Sequence, residues 1–316
     1  MRLCGIRHKQ LPVTRAVQAM ESQKKYPPVF SFEFFPPKTR DGVSKLEATS
    51  KLLAGLKPRF FSVTFGAGGS TRDRTYETVI GLHETSGIDA APHISCISST
   101  HDNIREMLHA YREKDIRHIV ALRGDMPSGM VEAGEFRYAN ELVSFIREET
   151  GKHFHVEVAA YPEYHPQATS PDRDLANFKR KIEAGADSAI TQYFYNPDAY
   201  FHFIDRCEKS GIDIPIVPGI MPISNYHQLA RFSDACGAEI PRWIRKRLEV
   251  FGEDSESIRA FGIDVVTRLC ARLLEQGAPG LHFYTLNRAE PSMTIWKNLG
   301  LGASQGSGRS TSPAPR

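Results

Sequence analysis

Glu33 interrupts the aromatic run FSFEFF, Phe30 to Phe35, where a carboxylate loses the hydration that favours its charged form. The expectation is a carboxyl pKa raised by burial, which suits a general acid working near neutral pH. A second reading stands beside it, a structural carboxylate paired with Arg123 or Arg288. Further polar residues fall on or just after strand-like runs: Thr64, His93, Arg123, Gly124, Asp125, Tyr161, Glu163, His165, Gln192, Asn287, Arg288 and Glu290. None of them has the HExxH spacing of a zinc hydrolase or forms a GxSxG nucleophile elbow. No metal is expected, and His93 and His165 read as hydrogen-bonding groups in a core or cofactor pocket rather than metal ligands.

Other segments admit a bland reading next to a chemical one. Arg123, Gly124 and Asp125 offer a cation, a flexible turn and an anion, either as part of a site or as a surface turn with a local ion pair. The loop FGAGGST, Phe65 to Thr71, resembles part of a dinucleotide fingerprint, but its sixth position is Thr71, and Gly66, Gly68 and Gly69 serve equally as turn formers. Asp172 and Asp174 read first as helix-start residues. Lys179, Arg180 and Lys181 read as a solvated basic face that could also meet a phosphate. Phe194, Tyr195 and Phe232 read as core.

The elements that must hold these groups alternate between short β-branched or aromatic runs and longer segments of helical period. Eight strand-like runs begin near Val29, Phe60, Ala91, His118, Phe154, Ser188, Ile214 and Leu281. Helices are predicted over 73–84, 100–114, 172–184 and 196–210, each with ordinary start or stop signals. The stretch from Ser224 to Gln276 is longer than one crossover helix needs and is predicted to hold two or three, broken around Pro241 and Gly252. Eight βα units make a single (βα)8 TIM barrel the expected α/β fold, with an open doubly wound sheet as the alternative. The expected organisation is an N-terminal extension over 1–28, the barrel over 29–301 with extra helices before its last strand, and a disordered Gly/Ser/Pro-rich tail over 302–316. In such a barrel the reactive groups collect at the carboxyl ends of the strands.

Composition sets the outer bounds. With 41% hydrophobic and 24% charged residues in 316, the chain has ample material for one large core. A formal charge of +3 without a basic stripe points to small molecules rather than nucleic acid. The five cysteines are dispersed and form no CxxC pair, which argues against a disulfide framework and a zinc site and for a reducing compartment. With no apolar run of membrane-spanning length and no secretory leader pattern, a cytoplasmic protein without membrane attachment is expected.

At FEFFPPK (Phe32 to Lys38) the chain resembles the bacterial methylenetetrahydrofolate reductases. The resemblance continues through SVTFGAGGSTRDRT, APHISC, IRHIVALRGD, VAAYPEYHP, LANFKRKIEAGAD, AITQYFY, PGIMPISN and HFYTLNRAE. These ordered motifs span about Phe30 to Leu301. The resemblance implies FAD held at the top of the barrel and a ping-pong relay. In it NAD(P)H reduces the flavin and leaves, and methylenetetrahydrofolate is then reduced to methyltetrahydrofolate, supplying methyl groups for methionine synthesis. It implies FAD contacts at Thr64, His93, Arg123, Gly124, Asp125, Tyr161, His165, Asp174, Asn177 and Lys181, which displaces the bland readings of Asp174 and the basic cluster. It further implies Glu33 as catalytic acid, Asp125 as electrostatic partner of the folate cation, and substrate contacts at Glu33, Gln192, Phe232 and Arg288. Family habit favours NADH and a homo-oligomer. The chain departs from relatives after RGD, where Met126, Pro127 and Ser128 stand in place of a frequent pair of prolines.

Two alternatives stay in view: a barrel flavoprotein dehydrogenase of the proline dehydrogenase kind, against which FEFFPPK and HFYTLNRAE argue, and a non-enzymatic folate or flavin binder. The second would need no acid at position 33.

Overall fold

The computed structural model describes residues 20–65, 69–124 and 134–302. Gly66 and Gly68 of the glycine loop, Asp125, the Met126–Ser128 departure, and the predicted tail from residue 303 onward lie outside them.

The barrel wall is built from β1 (Val29–Phe34), β2 (Phe60–Val63), β3 (Asp89–Ser95), β4 (His118–Leu122), β5 (His155–Ala160), β6 (Ser188–Thr191), β7 (Ile216–Val217), β8 (Gly219–Ile220) and β9 (Gly280–Tyr284). All pair in parallel, in the order β7-β6-β5-β4-β3-β2-β1-β9-β8. The run predicted near Ile214 is split at Pro218, which has no N–H to give to a ladder. Its first half, β7, pairs with β6 and its second half, β8, pairs with β9, so one broken strand closes the ring. Eight wall positions therefore arise from nine short strands, and the closed barrel holds over the open sheet.

Each crossover is helical. The helices are α1 (Glu21–Lys24), α2 (Arg40–Ala54), α3 (Gly69–Ser86), α4 (His101–Glu113), α5 (Ala139–Thr150), α6 (Pro171–Glu183), α7 (Pro197–Lys209), α8 (Tyr226–Cys236), α9 (Arg242–Phe251), α10 (Ser255–Glu275) and α11 (Glu290–Asn298). The 224–276 stretch resolves into α8, α9 and α10, with Pro241 at the start of α9 and Gly252 at its end, as the breakers predict. Helix α6 starts one residue earlier than expected, because the hydroxyl of Ser170 accepts from the Arg173 N–H and is the cap. Asp174 is thereby left for another partner.

Alternation along the strands sorts side chains into two cores. Phe60, Ala91, Val120 and Ile190 fill the inside of the barrel, while a larger cluster including Phe32, Phe34, Phe61, Ile94, Val158 and Phe283 packs the outside of the wall against the helices. The part of the predicted N-terminal extension that is described, from Met20, lies at the amino end of the strands; residues 1–19 lie outside the described residues. Gln23 donates to the Ile214 carbonyl at 3.2 Å and accepts from the Ile216 N–H at 2.9 Å, and Met20 N–H donates to Gln276 O at 2.9 Å. Among the described residues no helix is long and apolar enough to cross a membrane.

Candidate active site

A cavity of about 950 Å³ opens at the carboxyl ends of the strands. Its walls include Glu33, Thr64, His93, Gly124, Tyr161, His165, Gln192 and Phe232, so one rim gathers residues from β1, β3, α8 and the segments after β2, β4, β5 and β6. Such a concave chamber with few polar groups converging on it is the usual form of a small-molecule site.

Glu33 lies in register with Ser62 of β2 and Tyr284 of β9. Its Oε2 is 3.3 Å from His93 Nε2 and 3.5 Å from His282 Nε2, and its side chain is 16% exposed. His282 is fully buried and is held through Nδ1, 2.7 Å from Ser31 Oγ. This arrangement overturns the expected direction of the pKa. Burial does push the Glu33 carboxyl up, but His282 and His93 outweigh it and hold the group at about 2. The partners are also histidines rather than Arg123 or Arg288. His282 was missed by the sequence reading. Strand alternation in HFYTL, which turns His282 and Tyr284 to the same face as each other, was the signal for it.

The strand ends that carry the rim are tied by backbone-directed side chains. Thr285 Oγ1 donates to the Glu33 carbonyl at 2.6 Å, and the Tyr284 hydroxyl reaches across to the Thr191 carbonyl at 2.7 Å. Gly219 makes that crossing possible: a Cβ there would lie 2.1 Å from Thr191 O and 2.8 Å from Tyr284 Oη. Gly124 has φ +84°, and a Cβ on it would lie 1.9 Å from Ser95 Oγ, so the chain passes too close for any side chain.

The remaining predicted residues divide by position. The rings of Tyr161 and His165 meet edge to face, with centroids 4.6 Å apart. Behind His165, the carboxylate of Asp174 accepts from the His165 N–H at 3.1 Å, and the Lys181 ammonium donates to the Ala159 carbonyl. Burial raises the Asp174 carboxyl, with His165 N–H and Lys181 opposing, and lowers Lys181 to about 8. Asp174 and Lys181 thus sit under the wall rather than in it. Arg123 bonds Gln167 at 2.6 Å, and Gln167 itself lines the cavity. Gln192 accepts from the Tyr193 N–H at 3.0 Å through Oε1, leaving its amide nitrogen as a donor. Asn177 is exposed and accepts from Arg180 at 3.0 Å, and Arg288 is exposed just past the Leu286–Asn287 turn.

A family model described as methylenetetrahydrofolate reductase matches residues 17–300. The chain belongs to that family. It is 43% identical over 271 residues to 5,10-methylenetetrahydrofolate reductase of Escherichia coli (strain K12), covering 86% of this chain and 90% of that one. It is 40% identical over 286 residues to methylenetetrahydrofolate reductase (NADH) 1 of Arabidopsis thaliana, covering 86% of this chain and 48% of that longer protein. Among solved structures, an uncharacterized protein from Clostridium thermocellum that binds two copies of 5-methyl-5,6,7,8-tetrahydrofolic acid superposes with a TM-score of 0.59 at 16% identity. The match spans 89% of this chain and 95% of that one and shows a shared fold. The family match runs through every wall position of the barrel, and the rim residues named above all fall within it.

Proposed function

We propose that the chain reduces 5,10-methylenetetrahydrofolate to 5-methyltetrahydrofolate with NAD(P)H, through FAD, by a ping-pong relay in a cytoplasmic homo-oligomer, feeding methionine synthesis. NADH is the proposed donor, in keeping with the names of the plant relatives. The observation that carries the reading is Glu33, a carboxylate at a large cavity between two imidazoles.

The residues present suit a flavin. The chamber is of cofactor size, and its wall offers the Thr64 hydroxyl, the His93 and His165 imidazoles, the Tyr161 phenol and the Gly124 backbone to a ligand. Thr64, His93, Gly124, Tyr161 and His165 would hold FAD directly. Arg123, Asp174, Asn177 and Lys181 are assigned to the diphosphate and adenosine end and its support, and Asp125 is assigned to the flavin side by resemblance. When bound, the flavin supplies two-electron chemistry, accepting hydride from the nicotinamide and giving it to the folate.

Glu33 is assigned the proton that opens the methylene bridge of the folate. In the open cavity its carboxyl is ionised, so a proton must reach Oε2 before the bridge can open. Substrate that displaces water from the cavity strengthens the upward push of burial and favours the protonated carboxyl. Gln192 would orient both nicotinamide and pterin with its amide, Phe232 would cover the substrate with an apolar face, and Arg288 would meet the folate carboxylates. Asp125 would stabilise the folate cation.

The test is the visible spectrum of the purified protein, followed anaerobically with NADH and then methylenetetrahydrofolate. A flavin spectrum that bleaches with NADH and returns with folate supports the relay. A protein unable to bind FAD, or one whose reduced flavin is not reoxidised by the folate, overturns it.

A further inference from the structure

The amino end of the barrel, opposite the cavity, carries a second group of titratable side chains. His118 and His155 open β4 and β5 and face each other in register, and Glu157 follows two residues along β5. Strand pairing thus unites residues that local spacing keeps apart. His118 Nε2 lies 3.3 Å and His155 Nε2 4.0 Å from the same oxygen, Glu157 Oε1. One ligand atom from each of the three residues falls within 4.8 Å of the others.

Glu157 and His118 are 2% and 6% exposed. Yet Glu157 Oε2, the carboxylate oxygen turned away from His118, has no hydrogen-bond partner among the described residues. Polar atoms left in this condition are costly unless something satisfies them. Phe60 stacks on His118 with ring centroids 4.4 Å apart and closes the apolar side of the group.

We propose that His118, His155 and Glu157 bind one divalent transition-metal ion, of which zinc is the best fit. Two imidazoles and a carboxylate form a nitrogen and oxygen set suited to zinc rather than calcium or magnesium. Tetrahedral ligation at about 2.0–2.1 Å separates ligand atoms by roughly 3.4 Å, from the distances in. The His118–Glu157 pair already meets that spacing, and His155 must close on Glu157 Oε1 by under about 1 Å. His155 Nε2 would exchange its 2.6 Å hydrogen bond with Ser188 Oγ for the ion, and a water completes the fourth position. His155 is 41% exposed through its side chain and supplies the way in. At the end of the barrel away from the catalytic rim, the ion would fasten β4 to β5 rather than take part in the reaction.

The full-length chain as purified, stripped with a chelator, is dialysed against Zn²⁺ alone. The wild type should take up one equivalent and melt at a higher temperature with zinc than without. Glu157→Gln and His155→Asn should each weaken binding by about tenfold or more, since even outer partners of a metal site are worth about 10–100-fold, and should lose most of the zinc-dependent rise in melting temperature. A wild type that binds no zinc, or a His155→Asn variant that binds it as tightly as wild type, overturns the proposal. Should Glu157→Gln fail to fold, His155→Asn at the exposed mouth decides alone. Neither readout involves flavin or folate, so the outcome is independent of the proposed reaction.

Discussion

The side-chain amide of Asn287 pairs with both backbone groups of Phe35, 252 residues away, accepting from its N–H at 3.0 Å and donating to its carbonyl at 2.9 Å. It extends the β1–β9 pairing two residues past Glu33, so the carboxylate sits on a strand fixed on both sides. Asn287 does so with φ +57°, a backbone conformation that asparagine tolerates better than most residues.

Asn287→Ala removes two hydrogen bonds and places a less suitable residue in the left-handed region. The expected loss of stability is about 1–3 kcal/mol, from the usual worth of such bonds and of that conformation. Urea denaturation of variant and wild type measures it. Folate turnover should fall more than flavin reduction, because the strand that carries Glu33 is loosened.

Glu33→Gln should leave flavin reduction by NADH intact while lowering folate reduction about 100-fold or more, the range of general acid catalysis. Rapid-mixing measurement of the two half-reactions separates them. Equal losses in both would remove the acid role from Glu33.

The same carboxyl predicts an acid-stability difference. Held at about 2 against a reference of 4.5, Glu33 binds fewer protons folded than unfolded between those values. Its contribution is therefore present above pH about 4.5 and is lost as pH falls toward 2, on the order of 3 kcal/mol across the window. The wild-type minus Glu33→Gln stability difference should shrink as pH drops through this range, and a constant difference would show that the histidines do not hold the carboxyl down.

Lys181, lowered to about 8 by burial, loses its charge where ordinary lysines keep it. An anionic diphosphate nearby favours the charged form, so FAD binding should take up protons above that pH and weaken as pH rises. Raising pH from about 7 to 9 should reduce FAD affinity of the wild type but leave Lys181→Met, already weaker by about tenfold, with little pH dependence. Fluorescence titration with FAD reads both effects.

Gly219→Ala should be destabilised by about 1–3 kcal/mol, the cost of overpacking, because its methyl group would press on Thr191 O and the Tyr284 ring. Thermal melts measure the loss. A variant as stable as wild type would mean that β8 shifts freely at the barrel seam.

What the sequence by itself determined is local. The period-two runs marked the strands, Pro241 and Gly252 marked the breaks between α8, α9 and α10, and a carboxylate within an aromatic strand marked Glu33, because each depends on residues near one another in the chain. The tertiary structure decided the rest. The sign of the Glu33 pKa depends on His282, which closure of β9 against β1 brings 3.5 Å from it. The placement of Asp174 and Lys181 beneath the wall follows from the packing of α6 on β5, and the His118–His155–Glu157 group exists only because β4 and β5 pair in that register. Periodicity says which face of a strand a side chain takes, whereas the neighbour across the barrel, and so the local field, is set by how the strands close.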